Sequence, residues 1–186
     1  MFTEKTNPAK ELSSSAQRGF SLIELLVVVA IILIIAAIAI PSLLNSRIAA
    51  NEAAAAVTVR TITTAAMTYS STYGNGFPPN LATLGGPAAG PATCNQAILL
   101  DEIITTAPNS KSGFAFAFNP VGPTVPPPAG CGAPGTDAYL VTATPVTENL
   151  TGVRSFCSDE PGTIHYDVTG TTAGTQAACE ALPALQ

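Results

Sequence analysis

The chain has 186 residues, 12 of them acidic and 7 basic, for a formal net charge of -5; this balance excludes a basic, polyanion-binding protein as the starting reading. Charged residues make up only 10% and hydrophobic residues 47%, against roughly 25% charged in an ordinary soluble domain. The apolar side chains must therefore be concentrated in one place, and what remains supplies one modest core.

The concentration lies near the start. From Leu25 to Ile40 every residue is apolar. Extended back to Phe20, the segment would form a helix about 31 Å long, close to the ~30 Å hydrocarbon thickness of a bilayer. Before it, Lys5, Lys10 and Arg18 outnumber Glu4 and Glu11, a positive flank that predicts cytoplasmic retention of the N-terminus and export of everything after Pro41. Ala37-Ile38-Ala39 fits a secretory cleavage pattern, but the apolar run exceeds the usual ~7 to 15 residues of a signal core. It also carries Glu24 near its start. An ionised carboxylate in a spanning helix costs about 2.5 to 3.5 kcal/mol on insertion scales, so Glu24 calls for a partner. Pro41 removes the donor that would bond the Ala37 carbonyl and predicts a kink.

From Ser42 to Tyr73 there is no Gly and no further Pro, and Leu44, Ile48, Ala55, Val59, Ile62, Ala66, Tyr69 and Tyr73 recur at helical spacing. The opposite side offers Asn45, Arg47, Glu52, Thr58, Arg60 and Thr64, expected to be solvated. This half is amphipathic and predicts a helix continuous from Phe20 to Tyr73, about 81 Å long, that carries a globular head. Gly74-Asn75-Gly76 and Pro78-Pro79 stop it, Leu81 to Leu84 reads as a short turn, and Cys94 to Thr106 as a short helix. Strands are predicted at Gly113 to Asn119, Ala138 to Thr144, Val153 to Ser158 and Thr163 to Val168, with Pro120 to Pro134 an exposed loop. The fold class is α+β: a long N-terminal helix spine packed against a small antiparallel sheet of about four strands.

Cys94, Cys131, Cys157 and Cys179 all follow the apolar block, an even number in a segment expected to reach an oxidising compartment. Four cysteines allow three connectivities; Cys94 with Cys131 and Cys157 with Cys179 is favoured, because each bond would fasten a loop or tail without strong secondary structure. No C-x-x-C or Cys/His cluster supports a metal or a cofactor. His165, the only histidine, reads as an exposed strand position, Asp159-Glu160 as turn chemistry, and Asn149-Leu150-Thr151 matches a glycosylation sequon. No catalytic constellation is present, and an enzyme is not expected.

Arg18-Gly19-Phe20-Ser21-Leu22-Ile23-Glu24, the apolar run and Pro41 together resemble the type IV prepilin signature, which type II secretion pseudopilins share. The resemblance implies that a prepilin peptidase cuts between Gly19 and Phe20 and methylates the new amine of Phe20. It further implies that Glu24 pairs with the Phe20 amine of a neighbouring subunit during assembly, although a pair within one chain, four residues apart, is also reachable. The division is then a cleaved leader (1-19), a transmembrane and filament-core helix half (20-41), an amphipathic half (42-73) and a disulfide-containing head (74-186). The implied function is that of a structural pilus subunit serving adhesion or motility, with a secretion pseudopilin or a minor, tip-located binding subunit as alternatives. Its partners would be copies of itself, the peptidase, the inner-membrane assembly platform and the membrane that stores the precursor with a periplasmic head. After Gly19 only Arg47, Arg60, Lys111 and Arg154 stand against ten acids, so nucleic acid is not favoured.

Overall fold

The computed structural model describes residues 19–87 and 89–185, and the chain divides into two units, Met1–Pro41 and Ser42–Gln186. In the first, Gly19, Phe20 and Ser21 are non-helical, and helix α1 (Leu22–Tyr73, with Pro41 inside it) begins directly after them. The Ser21 carbonyl accepts from the Glu24 N–H at 3.1 Å, and the Ser21 N–H donates back to Glu24 Oε2 at 2.9 Å. That return bond is one half of a capping box and satisfies a donor the helix leaves open. Large apolar side chains are exposed along the whole of this unit, from Phe20 at 86% down to Val29 at 47%.

In the second unit α1 buries one stripe. Ala55, Val59, Ile62, Ala66 and Tyr69 alternate spacings of four and three and are all essentially inaccessible, which places them in a row on one helix face. Burial begins at Glu52; Leu44, expected in the same row, is 39% exposed and Ile48 is half-buried. Thr58, expected on the solvated side, is buried, and its hydroxyl donates to the Ala54 carbonyl at 2.8 Å. The stripe packs against Phe114, Phe116, Phe118, Tyr139, Val141 and Phe156.

These come from a five-stranded antiparallel sheet, β1 (Ser110–Lys111), β2 (Phe114–Val125), β3 (Gly135–Pro145), β4 (Ser155–Ser158) and β5 (Ile164–Asp167), in sequential order. The period of two in Phe114, Phe116 and Phe118 turns all three rings to the core, opposite Pro145, Ala143 and Val141. Two expectations are corrected here. Pro120 to Pro134 is not all loop, because β2 runs on to Val125. Beyond Phe114 and Ala115 its outer edge has no strand partner, so Pro120 and Pro123 interrupt no ladder there. Cys94 to Thr106 is not one helix. Ile98 takes a positive φ of 55°, and the N–H groups of Ala97, Leu99 and Leu100 donate to Thr83 and Leu84 carbonyls. Only α3 (Glu102–Thr105) is helical in that stretch, alongside the earlier turn α2 (Leu81–Leu84), capped by Asn80. A last turn, α4 (Gln176–Glu180), was not predicted; it is capped by Thr175 and carries Cys179. After it the chain returns along the β5 edge, where Tyr166 donates to Pro183 and Leu185 to Ile164.

Gly135, at the start of β3, is the tightest of these junctions: a β-carbon there would overlap the Asn75 carbonyl oxygen and approach that of Phe77 to 2.6 Å. Both obstacles are backbone and cannot swing aside. Gly135→Ala is expected to destabilise the head by about 2 to 3 kcal/mol, read as a lowered midpoint in thermal unfolding of the full chain. Gly90→Ala, where the nearest atom is 3.4 Å away, serves as the neutral control.

Candidate functional site

Gly19 opens the described part of the chain. Among the described residues nothing comes within 4 Å of where a β-carbon would sit. Packing among the described residues therefore leaves the position open to a larger side chain. Phe20 follows fully displayed, and Ser21 opens the helix. The junction is thus a short non-helical segment ending one residue before a capped helix. The Glu24 carboxylate sits with it, bonded to the Ser21 N–H next to Phe20. Behind the junction the helix is long and apolar enough to cross a membrane, by length and composition, with none of the spanning window buried.

In the head, Glu52 is the polar residue on which the fold turns. It is 5% exposed; Oε1 accepts the Val153 and Arg154 N–H groups at 2.9 and 3.0 Å, and Oε2 accepts Arg154 Nε at 2.8 Å. The expected solvated role for Glu52 is therefore overturned. Burial pushes its pKa up, but the two backbone donors and the guanidinium outweigh burial and hold it below the ordinary 4.5. The same bonds explain why β4 starts at Ser155 and not at Val153: the two preceding N–H groups point to α1. Asn51 adds a bond from Nδ2 to the Thr151 carbonyl at 2.9 Å, and Arg154 lies over the Phe156 and Tyr166 rings at 5.8 and 5.5 Å. The only hint in the sequence is that Glu52 is the one acid in an Ala-rich stretch.

Two disulfides join Cys94 to Cys131 and Cys157 to Cys179, with Cα separations of 5.5 and 6.0 Å. Asn95 reinforces the first, accepting the Gly132 N–H at 2.8 Å and donating to the Gly130 carbonyl. His165 is half-buried and not an exposed strand position; its Nδ1 lies 2.7 Å from the Leu182 carbonyl oxygen. Asp159 does close a turn, its carbonyl accepting the Gly162 N–H, but it is also 1% exposed. Burial first, and then the facing Glu180 carboxyl, raise its pKa. Burial likewise pushes the Tyr139 phenol up to about 12. Among the described residues no group of three or more His, Cys, Asp or Glu is placed to hold a metal.

An α+β head on a helix whose first half is apolar on every side is a type IV pilin-like arrangement. The family described as the prokaryotic N-terminal methylation motif matches residues 14–40, the stretch containing Gly19, Phe20 and Glu24. The chain carries a prepilin-like signature, that of a type IV pilin or pseudopilin-like precursor. The motif implies processing by prepilin peptidase and assembly into a filament, points to a structural protein, and with the apolar helix fits a membrane-anchored precursor. No curated protein and no solved structure is similar to the chain.

Because the Glu52 pKa is depressed on folding, its contribution is complete above about 4.5 and is lost as pH falls through the lower, folded value. Glu52→Ala is expected to cost about 3 kcal/mol at neutral pH, since it leaves a guanidinium and two N–H groups without their acceptor. In Glu52→Gln the fall of the melting temperature below about pH 5 should be shallower than in the parent; a pH series of thermal melts checks both.

Proposed function

We propose that this chain is the structural subunit of a type IV pilus: cut between Gly19 and Phe20, N-methylated on Phe20, held in the inner membrane with a periplasmic head, and polymerised into an extracellular filament. One observation carries this reading. The Gly19-Phe20 junction precedes a helix whose large apolar side chains, from Leu22 to Ile40, the described residues leave exposed. A membrane covers such a helix during storage, and copies of the same helix cover it in a filament. Cleavage leaves a cation on Phe20 and an anion on Glu24 in surroundings where an unpaired charge is costly. Pairing Glu24 of an incoming subunit with the Phe20 amine of an assembled one neutralises both and sets the axial register. In the free subunit the Ser21 N–H already holds that carboxylate, so it is pre-aimed at the helix start. Pro41, inside α1, has no N–H to bond the Ala37 carbonyl, which eases the bending that packing such helices requires.

The test is mass spectrometry of the N-terminus in sheared filaments and, separately, in membranes of the native cell. Methylated Phe20 as the dominant species in long filaments is the expected result. Processed protein confined to membranes would reassign the chain to a secretion pseudopilus, and an N-terminus after Ala39 would remove both readings. Gly19→Val should leave the chain uncut. Glu24→Gln should be cut normally yet give at least about tenfold less filament, as follows from losing a charged contact of about 1.5 to 3 kcal/mol.

A further inference from the structure

The large apolar side chains left exposed on the head include two separate groups, each with an unpaired charge of opposite sign. The first lies on α1, on the side the sheet does not cover: a shallow groove lined by Val57, Arg60, Thr61, Thr64 and Leu99, with Val57 at 65% exposure. Among the described residues Lys111 and Arg154 are taken up by Asp101 and Glu52, and Arg60 has no acidic partner. The second group is the β3–β4 loop, where Val146 and Leu150 are 59% and 55% exposed and Glu148, also exposed, has no cationic partner. This loop is rigidly presented: Asn149 donates to the Gly152 carbonyl, Thr147 and Thr151 bond each other, and the Asn51 and Glu52 contacts fasten it to α1.

The two groups cannot meet within one copy. Asn51 and Glu52, which hold the loop, are nine and eight residues from Arg60, which lines the groove, so they lie more than two turns from it along one helix, about 12 to 14 Å, and are turned from it by about 180° and 80°. Two unlike patches, apolar with a cation and apolar with an anion, at separate places on one molecule can make a heterologous contact with a second copy, and such a contact propagates into an open array when it does not close a ring.

We infer that the groove beside Arg60 receives the β3–β4 loop of a second copy of this chain, with Val146 and Leu150 against Val57 and Leu99 and Glu148 against Arg60. The contact rests on the proposal that the chain polymerises and names the head surfaces that do so. The acidic heads then approach each other through one of their few unpaired cations, not through like charges.

The test uses the full chain in the native cell, with the photocrosslinking residue benzoylphenylalanine in place of exposed Val57 and the adduct mapped by mass spectrometry. In sheared filaments the expected adduct joins position 57 to residues 145–153 of another copy. It should be lost in Arg60→Glu and in Glu148→Arg and return when the two exchanges are combined, which a folding defect would not do. Filaments that lack this adduct, or a double exchange no better than the singles, overturn the contact and leave the pilus reading intact. The adduct in membranes of cells without extracellular filaments upholds the contact and overturns the pilus reading. An adduct to a different protein, or none in either fraction, overturns the contact.

Discussion

Helix α1 has to satisfy two solvents with one backbone geometry, and the composition along it changes accordingly. Over residues 22–40 the apolar side chains point in every direction. Burying a single Val, Leu or Ile is worth about 1.5 to 3 kcal/mol, so this stretch cannot be left in water and cannot be covered by a sheet that reaches only one side. From Glu52 onward the same helix narrows to one buried stripe, rich in alanine. Small side chains there bring the backbone close enough for Phe114, Phe116 and Phe118 to fill the space beneath, so the head's aromatic core is a consequence of the helix's small face.

Two buried carboxylates in this part of the chain respond to acid in opposite senses. Glu52 is better solvated by its donors than by water, so its ionised form favours the fold above about pH 4.5. Asp159, raised by burial and by Glu180, is harder to ionise in the fold than out of it. It therefore costs nothing below its ordinary 3.8 and opposes folding increasingly as pH rises through its folded value. One carboxylate ties a loop to the helix; the other is tolerated beside the Cys157 and Cys179 bond, which holds α4 in place without help from charge.

How far the fold could be read from the sequence depends on how local each cause is. The helix was legible because an unbroken stretch free of Gly, with a stripe at spacings of three and four, has few other uses. The strand at Phe114 was legible because three aromatics at a period of two admit one pleat. The signature around Gly19 was legible because each of its residues acts within a few positions of the next. By contrast β1 has two residues and carries no period at all. The apolar spacing of Ala97, Leu100 and Ile104 imitates a helix, while the backbone breaks at Ile98 to pair with α2. Glu52 was misplaced because its partners lie 101 and 102 residues away, and nothing beside it announces them.

The disulfides join cysteines 37 and 22 positions apart, and neither loop contains the other. Each cysteine is joined to the next one along the chain, so in a polypeptide emerging N-terminus first the earlier bond can close before Cys157 has appeared. The sheet obeys the same order, every strand pairing with its immediate successor. No strand of the sheet must wait for a later one to be inserted between it and the strand before it, and the last segment to arrive, with Tyr166 donating to Pro183, lies along the β5 edge. The disulfides and the sheet are thus laid out in the order of synthesis, whereas the closure onto α1 through Glu52 waits for residues far along the chain.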